Sequence, residues 1–295
     1  MDGIRTLLVG LALRPRRAVV GAGSQAALDQ ALWLARTLPA RLLVVVSTFE
    51  RRPWSDEDDA ALEEALAPVR EAGVEVEVRR TDERAWAAIT SAVQAGEGQL
   101  VVVGKREAPA AEGRRLGSQA IKLLRKCPAP VWVVRPEHDL VHKLVLAATD
   151  LTPVGDAAIE AAAFVAEHHQ CELHVVHAFR ISMELQLEAP KLSDEEYAAR
   201  LDAIKAAARG HIDAVLGRSV FDGESVVHLG PKAPHLAIRE AVEHLHPDLL
   251  VMGTVSHGGR AGFLVGSTAE RLLDRVDCSL LTVKPADFVC PLTPG

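Results

Sequence analysis

The residues best equipped for chemistry sit just after apolar runs. Leu249-Leu250-Val251-Met252 leads into Gly253-Thr254-Val255-Ser256-His257-Gly258-Gly259, and Gly266-Ser267-Thr268 then opens a helical pattern. Glycines let backbone N–H groups turn toward a ligand, and a helix N-terminus adds partial positive charge. Ser267 and Thr268 add hydroxyl donors in the first turn. This arrangement suits a phosphate chain, but it also suits a plain Gly-Ser helix cap. Asp150 follows a second apolar run, residues 144–149. Its carboxylate can accept from ribose hydroxyls, or Asp150-Leu151-Thr152-Pro153 can simply cap the next helix. His177 ends a third run, where a structural role is the default expectation.

These positions depend on elements that occur twice. Leu100-Val101-Val102-Val103-Gly104 matches Leu249-Leu250-Val251-Met252-Gly253, and Gly117-Ser118 matches Gly266-Ser267. The spacing is 149 residues at Gly104/Gly253, at Gly117/Gly266 and at Pro136/Pro285. The beginnings of the halves align at a shorter offset, so the second half carries roughly eleven extra residues, placed at the polar stretch 181–196. The spacing predicts strands at 144–148, 172–178, 224–229, 248–253 and 279–283. Helices are predicted at 154–169, 194–216, 232–245 and 266–275. Strand–helix alternation with continuous apolar strands implies a parallel sheet covered on both faces. The expected fold is α/β, as two tandem doubly wound parallel-sheet domains, 1–138 and 139–295. Ligands in such sheets lie beyond the carboxyl ends of the strands, at a switch in strand order.

Composition narrows the function. The 295 residues carry 33 basic and 40 acidic side chains, a net charge of −7 with no dense Lys/Arg block. That argues against sequence-independent nucleic-acid binding or an anionic membrane surface. Only 4% of residues are aromatic, so base-stacking platforms are not expected. The four cysteines form no CxxC pair, which removes zinc-knuckle and thioredoxin motifs. Without a disulfide framework, signal peptide or long apolar span, a cytoplasmic home is expected.

The chain resembles the universal stress protein family over nearly its whole length, as two copies. The family's nucleotide-binding pattern, G-x2-G-x9-G-[ST] after the fourth strand, is matched by Gly253, Gly266 and Ser267, with Gly258 and Gly259 in the stretch between. Ser256 stands at the second glycine position. Asp150 matches the ribose-contacting aspartate, and Ala178 the adenine-side position after His177. Residues 124–134, Gly253-Thr254-Val255 and residues 283–291 look like the family's tandem-domain type. The resemblance implies an adenine nucleotide alpha hydrolase-like fold and a small-molecule nucleotide ligand. That ligand would be ATP in the second half only, with magnesium accompanying it. The implied site is Asp150, Ala178, Gly253, Ser256, Gly258, Gly266, Ser267 and Thr268. In the first half Ala12 replaces the aspartate and Glu107 occupies a loop glycine position, where a carboxylate repels phosphate. That half is therefore expected to bind ATP poorly and to act as a structural partner.

Family members dimerise through their last strands. Here residues 131–134 and 280–283 occupy those positions, so an intramolecular pseudo-dimer is expected, as a monomer or a homodimer. The implied role is stress-response ligand binding without efficient catalysis, since no general base or metal triad is positioned. The alternatives are a slow ATPase or nucleotidyl-type enzyme, or an interaction module that binds no nucleotide.

Several patterns mislead. Gly21-Ala22-Gly23-Ser24-Gln25-Ala26 reads as G-x-G-x-x-A, a dinucleotide fingerprint. The repeat register opposes it, making residues 7–9 the first strand and 14–24 a loop. No G-x-S-x-G elbow supports a hydrolase. His168-His169 and His244-Leu245-His246 lack the i, i+4 spacing of a helix-face metal pair and are expected to be solvated. Cys127 and the four tryptophans are expected to pack.

Overall fold

The computed structural model describes residues 3–13, 19–49, 53–105, 116–136, 140–254, 271–272 and 276–290. The first half comprises β1 (Thr6–Leu11), α1 (Ala22–Thr37), β2 (Arg41–Ser47), α2 (Asp56–Glu71), β3 (Val76–Thr81), α3 (Ala85–Gln94), β4 (Leu100–Gly104), α4 (Ser118–Lys126) and β5 (Val131–Val134). The second comprises β6 (Leu144–Thr149), α5 (Pro153–His169), β7 (Glu172–Ala178), α6 (Met183–Glu188), α7 (Asp194–Leu216), β8 (Ser225–Gly230), α8 (Pro234–Leu245), β9 (Leu249–Gly253) and β10 (Ser279–Val283). The extra residues of the second half form α6 and a 3-10 turn, Ala189–Lys191, before Ser193 opens α7 with a capping box to Glu196. Of the predicted helix at 266–275, only residues 271 and 272 are described, and both are helical.

Among the described residues the strands form one sheet of ten, in the order β3-β2-β1-β4-β5-β10-β9-β6-β7-β8. Each half is parallel throughout and repeats the same internal order, with its switch point between β1 and β4 or between β6 and β9. The halves join where β5 meets β10 antiparallel, pairing Val133 with Leu280, Trp132 with Leu281 and Val131 with Thr282. The expected internal pseudo-dimer is therefore present. The seam reverses strand direction, so the carboxyl ends of the two halves open at opposite ends of the sheet.

One core lies on each face, and each runs through the seam. α1, α2, α5 and α7 cover one face; α3, α4 and α8 cover the other. Side chains cross the seam reciprocally. The Arg135 guanidinium pairs with Asp277 at 3.0 Å. Its counterpart in the repeat, Lys284, donates to the Leu124 carbonyl near the end of α4. Lys105, also buried, donates to the Val276 carbonyl at 3.1 Å.

Two expectations change. α1 begins at Ala22, inside the segment 14–24 expected as loop. The reason is close packing of helix on strand. A Cβ on Gly104 would collide with the Gly23 carbonyl, and one on Gly23 with the Lys105 carbonyl. Gly23, the second glycine of the apparent dinucleotide fingerprint, thus lets α1 approach β4.

His169, expected to be solvated, is buried. It lies at the seam end of α5, stacked on Trp33 of α1 at 4.0 Å between ring centroids and on His142 at 4.5 Å. The His142 backbone N–H donates to its Nδ1 at 3.2 Å, which requires that nitrogen to be unprotonated. Burial lowers the His169 pKa to about 4; His168 adds to this and Asp248 opposes it. His168 itself is exposed.

Two predictions follow from this packing. Gly104→Ala is expected to lower unfolding stability by about 1–3 kcal/mol in urea melts, the usual cost of overpacking. For His169 the folded value lies below the unfolded one of 6.5. Its contribution to stability is complete above pH 6.5 and is lost as pH falls toward 4, where the unfolded chain takes up a proton that the folded chain refuses. The His169 ring signals are expected to titrate near pH 4 by NMR; titration near 6.5 would show the ring to be solvated.

Candidate functional site

Three sequence-predicted residues meet at the second half's switch point. Register places them in a row. Ala148 pairs with Met252 and Thr149 with His177, so Gly253, Asp150 and Ala178 end three neighbouring parallel strands, β9, β6 and β7. Ser256, Gly258, Gly266, Ser267 and Thr268 lie outside the described residues, as does Glu107.

A short turn aims Asp150. Leu151 adopts φ +60°, the left-handed region, at a cost of about 1–2 kcal/mol for a residue with a Cβ. The turn is held from both sides. Thr149 Oγ1 accepts from the Leu151 N–H at 3.0 Å. Asp150 Oδ1 accepts from the Thr152 N–H at 3.2 Å and the Thr152 hydroxyl at 2.5 Å. Thr152 in turn caps α5, accepting from the Gly155 N–H, with Pro153 in the first turn. Gly155 is required there, because a Cβ would crowd Thr149 Oγ1 and Asp150 Oδ1. Both readings of Asp150 thus hold in part. One oxygen braces the cap; Oδ2 has no hydrogen-bond partner among the described residues, and the side chain is exposed at the cleft.

His177 is structural. It is buried, and its Nδ1 lies 3.0 Å from the Thr149 carbonyl, tying β7 to the strand that carries Asp150. Ala178 is half-buried, level with Gly230 of β8. Gly253 lies against Val154 of α5.

Cys127, at the end of α4, is fully buried, and burial pushes its thiol up to about 12, which makes it inert. Among the described residues no three His, Cys, Asp or Glu side chains form a metal-binding group. No described helix is long and apolar enough to cross a membrane.

The first half differs at the same place. Exposed Ala12 follows β1, and beside it lies a cavity of about 540 Å³. Phe49, Arg84 and Trp86 line it together with the beginnings of α1, α3 and α4. Nothing in the motif pattern pointed to those three side chains. Their one sequence signal is that an aromatic or basic residue follows each strand end.

The fold defines a tandem, doubly wound α/β protein. The model of the universal stress protein family matches residues 16–135 and 142–284, and the chain belongs to that family. It is 28% identical over 232 residues to universal stress protein E of Salmonella typhi, covering 75% of this chain and 72% of that one. The Escherichia coli K12 protein of the same name is 27% identical over 233 residues, with the same coverage. A functionally unknown protein of Pseudomonas aeruginosa PAO1 shares the fold, with a TM-score of 0.73 and 23% identity over 97% of this chain and 94% of its own. A universal stress protein of Archaeoglobus fulgidus does so with a TM-score of 0.63 and 21% identity, over 95% and 98%.

Thr152→Val removes the cap and the hydroxyl half of the brace on Asp150, leaving only the backbone N–H. A loss of about 1 kcal/mol in urea unfolding is expected. An unchanged midpoint would show that the turn is held by strand packing alone.

Proposed function

We propose that the second half binds an adenine nucleotide, ATP with accompanying magnesium, and that the protein is a cytoplasmic stress-response binder without efficient turnover. The observation that carries this reading is the position of Asp150. One carboxylate oxygen is held by Thr152, and the exposed side chain follows β6 at the switch point, level with Ala178 and one position beyond Gly253. A carboxylate so held is a ready acceptor for a ribose diol, and parallel sheets take ligands at that point. Gly253, Ser256, Gly258, Gly266, Ser267 and Thr268 would cradle the phosphates through backbone N–H groups and hydroxyls. Ala178 would face the base.

The halves are read as domains 1–138 and 139–295, of which only the second takes nucleotide. Ala12 offers the first half no ribose acceptor. Efficient catalysis is not part of this reading: among the described residues the strand-end histidine, His177, is buried and tied to a backbone carbonyl. The internal pairing of β5 with β10 uses the edges through which a homodimer of separate halves would form, which favours a self-contained monomer.

Titration of the full chain with ATP is expected to give one site. Asp150→Ala combined with Gly266→Glu should abolish binding; unchanged curves would reject the site, and one retained site would move the nucleotide to the first half. Native mass spectrometry of the purified protein beside Ser256→Gly tests the loop. The glycine variant is expected to retain more nucleotide if position 256 needs positive φ.

A further inference from the structure

We propose that two copies of this chain associate reversibly through β8, edge to edge and antiparallel, about a two-fold axis at Val227. The seam between β5 and β10 is internal, so each chain is self-contained, and the association is one between such monomers. Among the described residues the sheet has two outer edges, β3 and β8. An outer strand carries backbone N–H and C=O groups with no strand to receive them. What surrounds those groups decides whether a second strand can pair there.

The open groups of β8 can be placed from its bonds to β7. Backbone groups of successive strand residues turn to opposite sides. The Gly230 carbonyl accepts from the N–H of Phe179, just past β7, at 3.1 Å. Val226, His228 and Gly230 therefore bond toward β7, and Ser225, Val227 and Leu229 turn their N–H and C=O groups to the open side. The same reasoning applies to β3. The Thr81 carbonyl accepts from the Thr48 N–H at 2.8 Å, so Val76, Val78 and Arg80 turn outward.

The two edges are guarded differently. β3 carries Glu77, Arg79 and Arg80, and each is tied along the edge: Glu77 to Arg41, Arg79 to Glu97 and Arg80 to Asp59. Charged side chains on an edge are a common protection against strand addition. β8 reads Ser225-Val226-Val227-His228-Leu229-Gly230, with no Lys, Arg, Asp or Glu. Its one titratable side chain, His228, lies 3.0 Å from His174 Nδ1. Burial and that neighbour hold it below the usual histidine range, so it is neutral near pH 7. Val226 is 48% exposed.

The flanks of β8 select a second copy of β8 as the occupant. In the antiparallel register that uses every outward residue, Val227 faces Val227 of the second copy and Ser225 faces Leu229. Val226 then lies opposite His228, which adds no charge to the contact. Asp222 and Glu224 precede the strand and Lys232 follows it, all exposed. Antiparallel pairing brings the acidic end of each copy against the basic end of the other, and the two-fold axis makes the match twice. Lys232 pairs with Glu240 of its own α8, but on the surface, where such pairs exchange partners at little cost. Parallel pairing would set acid against acid.

The test is sedimentation velocity of the full chain from low micromolar to submillimolar concentration, where a shift from one chain to two is expected. Val226→Lys places a guard on an exposed position of the edge. Lys232→Glu makes both flanks acidic. Each should weaken association about tenfold or more, since each change appears twice across the axis. Adding Asp222→Lys to Lys232→Glu restores opposite charges with the signs exchanged and should recover most of the lost affinity, which a misfolded variant cannot do. The proposal is overturned if a dimer forms that Val226→Lys and Lys232→Glu leave unchanged, or if the double variant associates no better than Lys232→Glu. A chain that stays single at every concentration also overturns it, and would leave the edge to a strand of another protein.

Discussion

Everything in this molecule hangs on two strand edges that pair with each other. A doubly wound half-sheet ends in a strand with one row of backbone donors and acceptors unpaired, and such a row must be covered. β5 and β10 cover each other, and the row of Val131, Trp132 and Val133 against Leu280, Leu281 and Thr282 turns two half-sheets into one. The side chains reinforce this. Arg135 and Lys284 occupy the same place in the two repeats, and each reaches across to the other half, one to Asp277 and the other to the carbonyl of Leu124. Burying Lys284 lowers its pKa to about 8, and its neutralisation is therefore easier than for an exposed lysine. The seam is thus a packed interior first and an ionic contact second.

An antiparallel join between two parallel sheets has a geometric consequence. The strands of the two halves point in opposite directions, so the clefts beyond their carboxyl ends lie at opposite ends of the molecule. Neither cleft borders the other, while both share the cores that run through the seam. Such an arrangement couples the halves in stability and keeps their strand-end clefts apart. Substitutions at the rim of one cleft leave the backbone of the other in place.

Much of this was legible in the residues because it follows from periodicity and repetition. The apolar runs ending in Gly104 and Gly253 mark the central strands of both halves, and the polar stretch at 181–196 marks the insertion that became α6. The seam was legible because two equivalent edge strands in one chain have an obvious partner. His169 was not. A histidine pair at the end of a helix carries no sign of what the neighbouring half will bring, and its burial depends on Trp33 and His142, far off in the chain. Gly23 was ambiguous for a related reason. Glycine signals close approach without saying to what, and here the approaching group is the backbone at Gly104 and Lys105 rather than a phosphate. Of the site, Asp150, Ala178 and Gly253 were readable from strand register; the part played by Thr152 and the left-handed Leu151 in aiming Asp150 was not, because it depends on a turn conformation that leucine rarely adopts.

The same physics accounts for how one architecture presents two different strand ends. A helix N-terminus beside a strand end is a generic source of positive potential, and what is placed around it decides its use. In the second half the first turn of α5 is closed by Thr152 and Asp156 is taken up by His211 and Arg218, so the turn presents a single carboxylate, Asp150, outward. In the first half the corresponding turn carries no acid, and the hydroxyl of Ser24 folds back onto Ala12. Among the described residues, one strand end therefore presents a carboxylate and the equivalent one presents none. That difference rests on a few side chains at strand ends, where substitution costs little because the sheet, the seam and both cores lie elsewhere.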